Sequence, residues 1–428
     1  MTASAARTKT ALWPLILITS LFFFWGVANN LNDVLIPQFK KGFVLTDLQS
    51  GLVQSAFYLG YFFLALPAAF VMRRFGYKAA VILGLLLYAT GAFLFYPAAQ
   101  LHAYSCFLGA LFIIASGLAF LETSANPLIT VLGPPESAAF RLNLAQSFNP
   151  LGALSGILIG QTFILSGIEH DESTLGAMSE AAKQAFYAAE VKAVQGPYLV
   201  IGLVILVWAL LVLSVRFPQA ATEDTAEADV PEVSMARSIA LLFKRPRFVM
   251  GVVAQFFYVG AQVGIWSYMI RYAQSELGIT DKAAASYVLV TLVLFWIGRV
   301  AGTALMRRVA PVRILLVFAL CNIALTIAAI SLGGIGGLYA LVASSFFMSI
   351  MFPTIFAVAV EGLGALTKTA SSFLVMAIVG GAVLTPIMGW VSGQSHIRMA
   401  FIVSTVCFIV VALFALIVSR PVKAGAAR

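Results

Sequence analysis

The feature that most constrains this chain is a succession of apolar runs, each about as long as a membrane is thick. A helix needs roughly 20 predominantly apolar residues to cross the hydrocarbon core of a bilayer. Only helices suit runs this long, because backbone groups in lipid must find hydrogen bonds within their own segment. The sequence therefore predicts an all-α polytopic membrane protein with twelve transmembrane helices. Their approximate bounds are 11–38, 50–72, 79–98, 104–132, 141–166, 196–216, 247–274, 283–306, 312–332, 337–360, 370–393 and 397–418.

Composition excludes a soluble protein. Apolar residues make up 61% of the chain and charged residues 10%, whereas soluble domains carry about 25% charged residues. The mean hydropathy is +0.98, so most of the surface must face lipid. The net charge of +9 sits in short clusters between apolar runs. This pattern is typical of membrane orientation, and we expect no nucleic-acid partner.

Lysine and arginine are divided unequally between the two sides of the membrane. If the N-terminus is cytoplasmic, the cytoplasmic segments carry about three times as many of these residues as the outer segments. The positive-inside rule then predicts that both termini are cytoplasmic. The acidic segment Gly167–Gly196 is predicted to lie outside, as a solvated loop. We expect the first apolar run to be a retained helix, because no small-residue cleavage pattern follows it.

A polar stretch near the middle of the chain predicts two halves. Residues 219–247 are first acidic and then basic, and they separate the sixth and seventh runs. We therefore predict an N-terminal six-helix half at 1–217, a cytoplasmic linker at 218–246 and a C-terminal six-helix half at 247–428.

A short internal sequence repeat supports this division into two halves. Met72-Arg73-Arg74 ends the second run, and Met306-Arg307-Arg308 ends the eighth run, 234 positions later. Two repeated six-helix halves are a transporter architecture, in which the substrate site lies at the repeat interface near the bilayer midplane.

Asp33 and Glu122 are the only acidic residues deep within the predicted spans. An ionised carboxylate in that environment is costly, so it binds a proton or finds a cationic partner. A carboxyl group that is desolvated in this way can load and release a proton near neutral pH. We therefore predict proton coupling at both residues. A permanent ion pair with a buried arginine is the alternative.

Amides and aromatic side chains recur at helical spacing on several predicted spans. Amides donate and accept hydrogen bonds, which suits a ligand with many hydroxyl groups. Aromatic faces cover the apolar side of a sugar ring. Hydrogen bonding between helices is the alternative for the amides, and pairing with a carboxylate is the alternative for the one arginine. The candidate substrate-binding residues are Asn29, Asn30, Asn126, Asn143, Gln146, Asn149, Tyr258, Gln262, Trp266 and Arg299.

Several blocks of the sequence are similar to one known transporter group. They are residues 24–33, 121–127, 140–149, 258–262, 266–272, 297–299 and 352–356. In these blocks the chain resembles the fucose permease group of the major facilitator superfamily, which are proton-coupled symporters for L-fucose. The resemblance implies the fold of that superfamily, a bacterial inner membrane, and import of L-fucose or a related hexose. It places Asp33 and Glu122 at the acids assigned to proton coupling and sugar binding. Departures around Gly264-Ile265 and Glu361-Gly362 leave glucose, galactose and N-acetylglucosamine open as substrates.

Other functional classes lack their motifs. There is no phosphate-binding loop and no constellation of metal ligands or nucleophiles, so we expect no cofactor, no metal and no enzymatic activity. A uniporter would need no intramembrane acids, and a drug exporter would need fewer aligned amides. The expected partners are a small sugar, protons and the lipid bilayer, with the chain acting as a monomer.

Overall fold

The computed structural model describes residues 12–46, 49, 52–132, 134–165, 178–215, 234–279 and 281–419. For residues 12, 33, 37, 281–283 and 285 within these ranges it describes the backbone alone. The regular structure of the described ranges is helical throughout. Its α-helices are α1 (Leu12–Gly42), α2 (Leu52–Gln100), α3 (Tyr104–Val131), α4 (Ala138–Gln146), α5 (Phe148–Ile159), α6 (Glu180–Lys192), α7 (Gln195–Ser214), α8 (Met235–Phe243), α9 (Pro246–Leu277), α10 (Asp281–Leu305), α11 (Pro311–Leu332), α12 (Gly334–Met348), α13 (Met351–Val360), α14 (Thr367–Met376), α15 (Gly380–Gln394) and α16 (Phe401–Ser419).

The predicted twelve spans are confirmed. In the described part of the chain, ten helical segments are long and apolar enough to cross a membrane. One of them, α2, has 49 residues and is broken at Gly76, so it holds two spans. The backbone there has φ 81°, which glycine adopts without steric cost. The remaining span is the run of α4, α5 and a π-helical turn at Gly160–Ile164.

Two of the spans are interrupted where proline follows. The fifth span breaks between α4 and α5, just before Pro150, and the tenth breaks between α12 and α13, just before Pro353. Proline has no N–H to donate, and its ring clashes with the carbonyl four residues earlier. Each proline therefore ends the helix that precedes it and begins the next one. Apolarity alone predicted each of these spans as a continuous helix.

The chain forms two compact units. The first consists of Met1–Ala125 and Leu151–Glu223, and the second of Asn126–Pro150 and Asp224–Arg428. Helix α3 therefore contributes its last turn and a half to the second unit, which also holds all of α4. The division into halves at 1–217 and 247–428 stays a prediction.

Glycine lets helices touch in a matching way in both units. In the first unit, a Cβ on Gly152 of α5 would collide with the carbonyl oxygen of Phe23 on α1. In the second unit, a Cβ on Gly380 of α15 would collide with the carbonyl oxygen of Phe256 on α9. Small residues of this kind let membrane helices pack backbone to backbone. The first and fifth spans thus pair as the seventh and eleventh do, which fits the internal repeat.

Part of the acidic segment predicted as a solvated loop is a folded helix. Glu190 of α6 is only 3% exposed, and one of its carboxylate oxygens lies 2.9 Å from Nζ of Lys41. The other accepts a 2.8 Å hydrogen bond from the Gln38 amide. Sequence reasoning missed this buried acid because its partners lie about 150 residues away, at the end of α1.

Candidate functional site

Glu122 is a buried acid within a membrane-spanning helix of the first unit. Its side chain is 2% exposed on α3, and its Oε2 has no hydrogen-bond partner. No lysine or arginine of the described residues forms an ion pair with it, so the predicted alternative of a permanent arginine partner finds no support there. Burial without a counter-charge disfavours the ionised form of a carboxyl group. Glu122 is therefore a buried acid without a counter-charge among the described residues, and binding a proton would remove the cost of burying its charge.

Helix α3, which carries Glu122, packs closely against α2. A Cβ on Gly117 of α3 would lie 2.5 Å from the carbonyl oxygen of Gly84 on α2. A Cβ on Gly60, also on α2, would lie 2.9 Å from the carbonyl oxygen of Phe112. These contacts pack both halves of α2 closely against α3, the helix that carries Glu122.

Tyr61 is a polar neighbour that sequence reasoning missed. It follows Gly60 on α2 and is 4% exposed, and its hydroxyl is buried without a hydrogen-bond partner. Its phenol lies within electrostatic range of Glu122 and beside the indole of Trp25. The signal in the sequence is weak, because a tyrosine within an apolar run is more often packed against lipid or core.

The predicted residues of α1 are only partly described. Asn29 and Asn30 are half-buried. The Asn30 amide donates to the carbonyl of Gly26 at 3.1 Å, within its own helix, whereas Oδ1 of Asn29 is buried without a partner. Asp33 lies on α1, and its side chain is outside the described part of the structure. Its neighbour Asn32, which was not predicted, is buried and has an Oδ1 without a partner.

Three predicted amides come together in the second unit. The Gln146 amide donates to Oδ1 of Asn126 at 3.0 Å. The Asn143 amide donates to Oγ1 of Thr354 on α13 at 3.1 Å and to the carbonyl of Ala139 at 2.8 Å. Nδ2 of Asn126 and Oδ1 of Asn143 remain buried without partners. Because buried polar groups are nearly always hydrogen-bonded, such atoms are positions where a hydroxylated ligand or water can bind.

Arg299 is the buried cation of the second unit and is 3% exposed. Its Nε donates to the carbonyl of Ser349 at 2.6 Å, and its Nη1 donates to the carbonyl of Gln146 at 2.8 Å. The guanidinium carbon lies 4.6 Å from the centre of the Phe295 ring. The predicted alternative of pairing with a carboxylate is not seen among the described residues. Arg299 therefore bonds to one backbone carbonyl at the end of α4 and to another at the break between α12 and α13.

The remaining candidates follow the stripe on α9. Tyr258 is fully buried, and its hydroxyl donates to the carbonyl of Met348 at 3.0 Å. The Trp266 indole donates to Oγ of Ser345 at 3.2 Å. Gln262 is half-buried. Gln255, one turn before Tyr258, is fully buried with both amide atoms lacking partners.

Asn149 lies apart from this stripe, half-buried on α5. The described residues contain no cluster of His, Cys, Asp and Glu that could hold a metal ion.

Comparisons with known proteins agree on the family. The profile of the Major Facilitator Superfamily matches residues 16–378. The L-fucose-proton symporter of Escherichia coli is 46% identical over 414 residues, covering 96% of this chain and 94% of that protein. A glucose/galactose transporter of Brucella abortus is 36% identical over 409 residues, covering 94% and 93%.

A solved structure supports the same family assignment. The crystal structure of the Escherichia coli fucose:proton symporter superimposes with a TM-score of 0.88 at 45% identity, covering 96% of this chain and all of that one. Together with twelve membrane-spanning helices, these matches show that the chain belongs to the Major Facilitator Superfamily.

Proposed function

We propose that this protein is a proton-coupled sugar symporter that imports L-fucose, or a closely related hexose, by alternating access. The observation that carries the proposal is Glu122, a carboxyl group buried in a membrane helix with an oxygen that lacks a partner. The 46% identity to a protein described as an L-fucose-proton symporter supports both the proton and the sugar. The protein acts as a monomer in a bacterial inner membrane, with both termini in the cytoplasm.

In this mechanism the proton controls whether the cavity can close. When Glu122 binds a proton, its neutral form is far cheaper to seal away from water than a carboxylate. Asp33, which lies on the first predicted span, is the second acid and takes up the proton on the outer side. After the protein opens inward, the sugar and the proton leave together. The membrane potential adds about 2.3 kcal/mol per charge for each 100 mV.

The sugar is held by amides and aromatic side chains. The atoms that support this are buried and lack partners: Oδ1 of Asn29, Nδ2 of Asn126 and Oδ1 of Asn143. Hydroxyl groups of a hexose can donate to buried oxygens of this kind and accept from a buried amide nitrogen. The proposed sugar-binding residues are Asn29, Asn30, Asn126, Asn143, Gln146, Asn149, Tyr258, Gln262 and Trp266, and Arg299 belongs to the same proposed site through its bonds to the backbone.

The experiment is a measurement of the pH change that sugar uptake causes. Cells or proteoliposomes containing the wild-type protein should become alkaline outside when L-fucose is added. Asp33→Asn and Glu122→Gln should abolish that signal. Glu180→Gln is the matched control, because Glu180 is 81% exposed and should have no effect. Full proton-coupled uptake in both variants would refute the proposal.

A different hexose is the second candidate. The relative from Brucella abortus, 36% identical, is described as a glucose/galactose transporter. A thermal-shift screen of L-fucose, D-glucose, D-galactose and N-acetylglucosamine on the purified protein separates these substrates. L-Fucose should give the largest rise in melting temperature, and a larger rise with another sugar would reassign the substrate while leaving proton coupling in place.

A further inference from the structure

Two backbone carbonyls in the second unit lose their helix partners to proline. In an unbroken helix, the carbonyl of Gln146 would accept from the N–H of residue 150, and that of Ser349 from residue 353. Both of these later residues are proline and have no N–H. A buried carbonyl left without a hydrogen bond is costly, so the structure must satisfy each of them in another way.

One side chain satisfies both carbonyls. Arg299 donates from Nε to Ser349 at 2.6 Å and from Nη1 to Gln146 at 2.8 Å. The guanidinium is a planar fork whose donors point in fixed directions, and it stays charged under ordinary conditions. A lysine could not reproduce this geometry, because its three N–H donors share one nitrogen, whereas Arg299 donates from two separate nitrogens of a rigid fork.

The sequence beside Arg299 explains why it reaches the break. Gly298 and Gly302 lie four residues apart on α10, one on each side of the arginine in sequence. A Cβ on Gly298 would collide with the carbonyl oxygen of Phe346, and one on Gly302 would lie 2.5 Å from the Ile350 side chain. This small-xxx-small spacing brings α10 against the broken span and places the guanidinium at the break.

The two breaks that Arg299 contacts lie beside the cluster formed by the Asn126, Asn143 and Gln146 amides. The carbonyl that Nη1 holds belongs to Gln146, whose own side chain donates to Asn126. Thr354, which accepts from Asn143, directly follows Pro353. Moving either helix end would therefore move the polar atoms of this cluster.

We propose that Arg299 is a positioning residue that replaces the two helix hydrogen bonds removed by Pro150 and Pro353. It thereby holds the end of α4 and the break between α12 and α13 in the arrangement that presents the Asn126, Asn143 and Gln146 amides. The role of these amides in binding sugar rests on the proposed function. The role of Arg299 in joining the two breaks does not.

The test is a cycle between Arg299→Lys and the paired change Pro150→Ala/Pro353→Ala. Alanine returns an N–H to each orphaned carbonyl, so the arginine should matter less in that background. In the wild type, Arg299→Lys should lower the melting temperature and weaken L-fucose binding about tenfold, as expected for loss of one charge-assisted hydrogen bond. In the alanine background both effects should shrink to less than about threefold in affinity and little change in melting temperature. Arg271→Lys, at an exposed arginine beside the Tyr268 ring, is the control and should change neither.

The possible outcomes separate the two roles of Arg299. Equal losses in both backgrounds overturn the proposal, since the prolines would then be irrelevant to the arginine. Recovery of melting temperature without recovery of affinity also overturns it, because the guanidinium would be a direct sugar ligand. One arm of the test covers the case in which Arg299→Lys alone yields no folded protein. In that case, a folded variant that combines Arg299→Lys with Pro150→Ala and Pro353→Ala supports the proposal, and an unfolded one overturns it. The melting temperatures are measured without sugar, so they stand even if the wild type binds no hexose and the proposed function fails.

Discussion

Two ionisable groups buried in membrane helices, Glu122 in the first unit and Arg299 in the second, are treated in opposite ways. Glu122 in the first unit is 2% exposed and has an oxygen without a partner. Arg299 in the second unit is 3% exposed and donates to two backbone carbonyls. An arginine keeps its proton inside proteins, so it needs permanent acceptors. A carboxyl group can become neutral by binding a proton, so it can do without them.

This contrast separates a fixed charge from a switchable one. The fixed charge holds helices together and should be needed for stability in every state of the protein. The switchable charge should be dispensable for stability and needed for coupling. The predictions below test each side of this difference.

The largest effect should come from removing the fixed charge. Arg299→Met keeps an unbranched, flexible apolar stem but leaves the Gln146 and Ser349 carbonyls without donors. Each buried, unsatisfied group costs about 1–3 kcal/mol, so we expect a loss of several kcal/mol and low yields of folded protein. Thermal unfolding followed by size-exclusion chromatography measures it. A melting temperature equal to that of the wild type would show that other groups can satisfy these carbonyls.

Removing the switchable charge should leave stability intact. Glu122→Gln replaces a neutral acid by a neutral amide of the same shape, so the change in stability should stay within about 1 kcal/mol. Exchange of sugar across the membrane should continue, while accumulation against a gradient is lost. Thermal unfolding and counterflow of labelled L-fucose measure the two properties. Unfolding comparable to that of Arg299→Met would place Glu122 among the structural charges.

A moderate effect should follow from changing the neighbour of Glu122. The Tyr61 hydroxyl can donate to the carboxylate once it forms, which favours release of the proton. In Tyr61→Phe the proton should be held to higher pH. The midpoint of the pH dependence of uptake should then rise by about one unit.

The control for this change is Tyr88→Phe. Tyr88 is also buried in the first unit, and its hydroxyl already donates to the carbonyl of Phe24 at 3.4 Å. This variant should keep the wild-type midpoint. Equal midpoints in the two variants would show that Tyr61 has no influence on Glu122.

The smallest effect should come from the buried acid that does have a partner. Lys41→Met removes the cation that lies 2.9 Å from Glu190, but the hydrogen bond from Gln38 remains. Because Lys41 is 29% exposed, we expect a loss of only about 1 kcal/mol. The shift in melting temperature should shrink at high salt, since salt screens partly exposed ion pairs. A salt-independent loss would argue for packing rather than charge.

The sequence predicts the fold better than the site, for a physical reason. Crossing a membrane imposes length and apolarity on each span, and both are visible in a local window. The breaks before Pro150 and Pro353 follow from the local chemistry of proline, but a prediction based on apolarity alone treats each span as one continuous helix. The contacts of Glu190 with Gln38 and of Arg299 with Gln146 join residues 152 and 153 positions apart, and no local pattern encodes them.

The candidate site shows the same limit at single residues. Glu122 could be found because a carboxyl group is conspicuous in an apolar run. Tyr258 and Gln146 are also polar residues within predicted spans. In the structure, however, the Tyr258 hydroxyl donates to the Met348 carbonyl and the Gln146 amide donates to Oδ1 of Asn126. A polar residue in a span thus predicts a hydrogen bond, while the identity of the partner depends on which helices are neighbours.

The most direct test of the account is the protonation state of Glu122 during transport. Infrared difference spectra of the purified protein in lipid report a protonated carboxyl group directly, and Glu122→Gln identifies its band. If Glu122 carries the coupled proton, its carboxyl band should be present in the spectrum and should disappear over the same pH range in which sugar uptake declines. A Glu122 that is ionised at every pH where transport occurs, or protonated throughout, would contradict it.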